Sequence, residues 1–143
     1  MESITERDEA TALDTNPLDI VVPYTTSELT RVALTKAAEL SLDVPFRIRI
    51  LRMQRVPFPL ELQNSPVSVE VLREQTEKIA CGLRAAEIQI FLTRDAEETL
   101  LNNLRPESIV VIATRKRRWP TSEERLKKFC ERNGRRVALV YSK

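Results

Sequence analysis

The sequence predicts an α/β domain, doubly wound around a five-stranded parallel sheet with helices on both faces. Three observations carry that expectation. Short apolar runs alternate with amphipathic stretches in the order β-α-β-α-β-α-β-α-β, which implies parallel strands joined by right-handed crossovers. Pairs with capping-box spacing follow three of the apolar runs, at Thr25/Glu28, Asp95/Glu98 and Thr121/Glu124, where helices should open. The apolar runs also lack polar alternation at Ile20-Val21-Val22 and Ile109–Ala113, as befits strands covered on both faces.

Taken in order, residues 1–17 are polar, acidic and aperiodic and read as a flexible arm ending at Pro17, with the folded domain at 18–143. The first strand is Ile20–Val22. Leu29, Val32, Ala33, Ala37 and Leu40 then recur at helical spacing, giving a helix over 27–41 capped by Thr25. The second strand runs from Phe46 to Met53. It alternates strictly from Phe46 to Ile50, with Arg47 and Arg49 on the opposite face. Either that face is wet near one end or the arginine stems snorkel outward. Residues 55–67 contain Pro57, Pro59 and Pro66 and read as a loop pinned to the core by Phe58, Leu60 and Leu62.

Ser68 caps the second helix, whose buried stripe is Leu72, Thr76, Ile79, Leu83 and Ala86, with Gly82 near its end. Ile88–Leu92 is the third strand. Asp95 and Glu98 open a short helix with Leu100, Leu101 and Leu104 inward, and Ile109–Ala113 follows as the fourth strand. After the basic loop, Thr121 and Glu124 open the last helix on a narrow stripe of Leu126, Phe129 and Cys130. Gly134 suits its left-handed C-terminal position. Val137–Val140 is the fifth strand.

Composition excludes several functions. The 143 residues contain no histidine, which removes Ser-His and Cys-His nucleophile pairs and His-containing metal sites. The two glycines, Gly82 and Gly134, cannot build a glycine-rich phosphate loop. Ser27 has no histidine to activate it, Asp95 and Glu98 are accounted for as caps, and Cys81 and Cys130 read as buried helical thiols in a reducing compartment. The expectation is therefore a protein that is not an enzyme. No apolar stretch reaches the length of a membrane span, so membrane insertion is not expected, and the N-terminus lacks signal-peptide character; a cytoplasmic location is the reading.

The formal net charge of +2 hides an asymmetry. Residues 1–19 hold six acids and one base, whereas 105–143 hold twelve bases and four acids. That split marks either an anionic partner or an acidic arm lying on a basic face. The basic density peaks at Arg115-Lys116-Arg117-Arg118, followed by Trp119, Pro120 and the cap at Thr121-Ser122. This is the carboxyl end of a strand, where doubly wound folds bind ligands. The run reads first as a solvated loop, and second as a phosphate site using the dipole of the helix after Pro120. Trp119 reads first as packed against the loop or a partner subunit, and second as a stacking platform for nucleic acid.

Val21-Val22-Pro23-Tyr24-Thr25-Thr26-Ser27-Glu28-Leu29 resembles the first strand and V-P-x-D-x-S-E-L-like turn of the universal stress protein family. Ile109-Val110-Val111-Ile112-Ala113-Thr114-Arg115-Lys116-Arg117 resembles that family's fourth strand and its G-S-R-G-R loop. The resemblance is one of architecture over 18–143. It implies strand order 3-2-1-4-5 and a homodimer through the last strand, Val137–Val140. Nucleotide-binding members carry an acid after the first strand and a G-x2-G-x9-G-(S/T) motif after the fourth. By position the acid becomes Thr25, the first glycine Ala113 and the second Lys116, and none stands at the third, near Thr121–Glu124. Because a Cβ obstructs close backbone approach to phosphate, no ATP binding in the family manner and no other cofactor is expected.

The function read from the sequence is a non-catalytic, stress-related or regulatory binding module acting through contacts with an unknown protein partner. The candidate cleft comprises Thr25, Ala113, Thr114, Arg115, Lys116, Arg117, Thr121 and Ser122. Two alternatives stand beside it. One is an anion or nucleotide binder using 115–118 with the helix start at 121–122. The other is a nucleic-acid-associated factor using the basic C-terminal face.

Overall fold

The structure, a computed structural model, describes residues 17–40, 44–58, 60–61, 67–81 and 86–142. Five strands, β1 (Leu18–Pro23), β2 (Phe46–Arg55), β3 (Ala86–Thr93), β4 (Ile109–Arg115) and β5 (Arg136–Ser142), form one parallel sheet in the order β3-β2-β1-β4-β5. Four helices connect them: α1 (Ser27–Leu40), α2 (Val69–Ala80), α3 (Ala96–Asn102) and α4 (Ser122–Arg132). This is the expected doubly wound fold. Except for Pro17, the expected acidic arm lies outside the described residues.

Strand alternation sorts the core into two layers. Ile20, Val22, Ile48, Ile50, Val111 and Ala113 face α1 and α2, meeting Leu29, Ala33, Leu34, Ala37 and Ile79. Val21, Leu51, Val110 and Ile112 face α3 and α4, meeting Leu100, Leu104 and Cys130. Each fully buried Val, Leu or Ile contributes about 1.5–3 kcal/mol relative to exposure, so the central strands β1 and β4 anchor both layers.

Several local expectations are corrected. The hydroxyl that caps α1 is that of Thr26, which accepts the Leu29 N–H at 3.2 Å, whereas Thr25 donates its own N–H to Thr30 Oγ1 at 3.1 Å. Asp95 caps α3 by accepting the Glu98 N–H, but the reciprocal two-way box forms at α4. Ala86 belongs to β3, level with Ile48, and not to the stripe of α2; Leu83 and Gly82 lie outside the described residues. Cys81 is exposed at the end of α2, while Cys130 is buried. Gly134 has φ 78°. There the Arg135 N–H reaches Cys130 O and the Gly134 N–H reaches Glu131 O, both at 3.0 Å, a Schellman ending that needs the left-handed conformation.

The largest correction concerns Arg49. It neither meets water nor snorkels: it is 5% exposed and pairs with Asp19, itself 2% exposed. Its Nε and Nη2 donate to the two carboxylate oxygens at 3.0 and 2.9 Å. Nη2 also donates to Asn103 O at 3.0 Å, and Nη1 donates to Gln89 Oε1 at 3.3 Å. Ser108, which precedes β4, donates to the same carboxylate at 2.5 Å. Asp19, grouped by sequence with the acidic arm, is thus a core residue under α3. Arg47 is half-exposed, 3.8 Å from Glu87.

Candidate functional site

Strand register shapes the carboxyl edge of the sheet. Pro23, the last residue of β1, pairs with Leu51, but β2 continues four residues further, to Arg55. Val21 pairs with Val110, which sets Ile112 level with Pro23, and β4 continues three residues further, to Arg115. At about 3.3 Å per residue the flanking strands project roughly 10–13 Å beyond β1. The crevice where the strand order reverses is therefore a notch over the end of β1, the place where open α/β sheets bind ligands.

The floor of this notch holds a recess of about 370 Å³ lined by Thr25, Thr26, Glu97, Ser122, Glu123 and Leu126. Its polar groups are largely engaged by the chain. Ala113 and Thr114 are buried; the Thr114 hydroxyl lies 2.7 Å from that of Thr121 and donates to Glu123 Oε1 at 3.1 Å. Ser122 donates to the other oxygen of Glu123 at 3.1 Å. Thr121 Oγ1 accepts the Glu124 N–H at 3.1 Å, and the Glu124 carboxylate accepts the Thr121 N–H at 2.8 Å. That last bond, aided by one from Tyr141 (3.1 Å), holds the Glu124 carboxyl below its usual range, and in return Tyr141 is raised. Arg115 forms an ion pair with Glu28 at the start of α1.

The predicted site residues thus divide. Thr25 and Ser122 reach the recess, Thr114 and Thr121 brace its wall, and Ala113 is core. Arg115 bridges to α1, and Lys116, Arg117 and Arg118 are exposed and do not line the recess. Sequence reasoning missed Glu97 and Glu123, whose carboxylates give the recess an acidic lining. The spacing of Glu123 within the first turn of α4 was a signal of a sort, because acids favour helix starts.

The rims hold the other missed residues. Trp119 is 74% exposed, with Arg118 6.0 Å from its ring centre. Of the two packings expected for it, against its own loop or against a partner subunit, the first does not form. Phe58 is 80% exposed and Leu60 is also exposed, so neither pins the loop after β2. Arg94 does so instead, donating to Val56 O at 2.8 Å and Leu60 O at 2.6 Å and stacking 4.0 Å from the Phe58 ring centre. Leu62 lies outside the described residues.

Burial, reinforced by Glu97, pushes the Cys130 thiol up to about 11, leaving it protonated and unreactive at neutral pH. Among the described residues no three Cys, Asp or Glu side chains converge as a metal site would require, and no helix is long and apolar enough to cross a membrane. The class defined by fold and crevice is a doubly wound α/β domain with a notch at its topological switch point. No family model matches the chain, and no curated protein matches it.

Proposed function

We propose that the protein is a non-catalytic binding module of a regulatory kind, working through contacts with protein surfaces rather than by holding a nucleotide in its crevice. The observation that carries this reading is the state of the recess. The side chains of Thr114, Thr121 and Ser122 that a phosphate would meet are bonded to Glu123, Glu124 or one another. Glu97 and Glu123 also present negative charge to the space a phosphate would fill. The same facts weigh against an anion held between Arg115 and the start of α4, since the Thr121 and Ser122 hydroxyls are engaged and Arg115 pairs with Glu28. In this reading the chain is a divergent relative of the universal stress proteins that lacks their glycine-rich loop.

Self-association along β5 belongs to the same proposal. This strand pairs with β4 on one side, and Val137, Ala138, Leu139 and Val140 all remain half-buried although apolar. An edge that presents free backbone groups together with half-covered apolar side chains is suited to strand-to-strand pairing with a second copy. Light scattering at increasing concentration should give twice the mass of one chain; a monomer throughout refutes the dimer. Calorimetric titration with ATP and AMP should give no saturable heat, and micromolar affinity overturns the reading of the crevice.

A further inference from the structure

Beyond that reading, we propose that the carboxyl edge of the sheet docks on an anionic lipid bilayer, touching it at two points: the loop after β2, through Phe58, and the loop after β4, through Trp119. Both loops extend from the strands that overshoot β1, so they stand on either side of the notch. The two strands are separated only by β1, hence by roughly 10 Å. The two loops carry the two most exposed large hydrophobic side chains of the described residues, Phe58 at 80% and Trp119 at 74%.

The exposure of Phe58 is a held position and not a loose end. Arg94 fastens the carbonyls of Val56 and Leu60 and covers one face of the ring, which leaves the other face and Leu60 outward. Trp119 follows Lys116, Arg117 and Arg118, all exposed; neither Lys116 nor Arg117 has an ion pair or hydrogen bond to a described residue. Arg55, at the end of β2 and three residues before Phe58, adds a further exposed cation. Aromatic rings among cations are suited to the headgroup layer, where the ring is half-immersed and Lys and Arg meet anionic lipid.

Geometry favours a bilayer over the other occupants. A single-stranded nucleic acid stacked on both rings would carry its phosphates across the notch, over the carboxylates of Glu97 and Glu123. A protein partner needs roughly 800 Å² of continuous complementary surface on each side, and two rings divided by a notch offer little of that. A fluid surface needs contact only at the two rings, and leaves the acids in the recess.

The chain has one tryptophan, so its emission reports on the proposed contact directly. The full chain is mixed with vesicles of phosphatidylcholine containing about one third phosphatidylserine at low salt, alongside pure phosphatidylcholine vesicles. With the anionic vesicles the protein should co-sediment, its emission should shift to the blue, and brominated lipid should quench it; raised salt should reverse all three. Phe58→Ala, at an exposed site, should lower partitioning by about tenfold, and Lys116→Ala/Arg117→Ala by about twenty-five-fold. An unchanged emission with protein left in the supernatant overturns the proposal, as does a Phe58→Ala variant that partitions like the parent. Quenching of Trp119 by a single-stranded oligonucleotide, with no response to vesicles, overturns it in favour of nucleic acid. None of these outcomes depends on the dimer or on the crevice being closed to nucleotide, which light scattering and calorimetry test separately.

Discussion

Replacing Asp19 by Leu should cost about 3–5 kcal/mol, the usual result of leaving one partner of a buried ion pair behind. The magnitude follows from what Arg49 loses. Its guanidinium would forfeit both charge-assisted bonds, at 3.0 and 2.9 Å, and keep only Asn103 O and the longer contact to Gln89. The Ser108 hydroxyl would lose its acceptor and keep only the bond it accepts from the Arg105 N–H at 2.9 Å. Adding Arg49→Met to Asp19→Leu removes the stranded charge, so the double variant should be more stable than the sum of the singles by about 2–3 kcal/mol. Ser108→Ala, a milder change, should cost about 1–2 kcal/mol. Urea unfolding at neutral pH, followed by far-ultraviolet circular dichroism, measures all four. A loss below about 1 kcal/mol for Asp19→Leu, or strict additivity in the double variant, refutes the reasoning. The pH dependence has a fixed sign. Burial pushes the Asp19 carboxyl up, but the bonds from Arg49 and Ser108 outweigh it and leave the group below its ordinary value of 3.8. A depressed folded value means that the stabilisation is complete above that ordinary value and is lost as pH falls through the folded one. Acid unfolding of the parent should therefore be steeper than that of Asp19→Leu.

Two further predictions concern local chemistry. A thiol reagent such as dithionitrobenzoate should titrate one cysteine in the native protein, the exposed Cys81, and both in urea, because Cys130 is buried with its thiol near 11; rapid native modification of both refutes the burial. Gly134→Ala should lower stability by about 1–2 kcal/mol through its left-handed backbone alone, since an added Cβ there meets nothing within 4 Å; thermal unfolding unchanged from the parent refutes this.

Periodicity made the buried strands legible. Ile20–Val22 and Val110–Ala113 are covered on both faces, and continuous apolar runs have few other uses in a chain of alternating helices. Arg49 was not legible, because its partner lies thirty residues earlier in the chain, among acids that together look like a disordered arm. Only β1–β2 pairing reveals that Asp19 is core. The cap of α1 failed for a related reason. Glu28 has the spacing to reach back to Thr25, but Arg115 of β4 claims it, and Thr26 is left to cap the helix. In both cases a tertiary ion pair overrides a local pattern, as charge partners distant in sequence often do.

The candidate site was legible as a place and not as a shape. Four cations after an apolar run mark a strand-end loop, but they do not say how far that loop stands from its neighbours. That distance is a difference between strand ends, and strand ends depend on where pairing stops. The alternation in β2 fades after Ile50, and periodicity ends the strand at Met53, yet pairing with Leu92 and Thr93 carries it through Gln54 and Arg55. Those two residues add about 7 Å of projection. They lift Phe58, an apolar residue between prolines and so read as a core anchor, to the rim of the notch. Arg94, just past the end of β3, then fastens the loop there. A phenyl ring in that sequence setting can be buried or displayed with equal local plausibility. What decides is whether the ladder beneath it runs two residues longer than the hydrophobic pattern does.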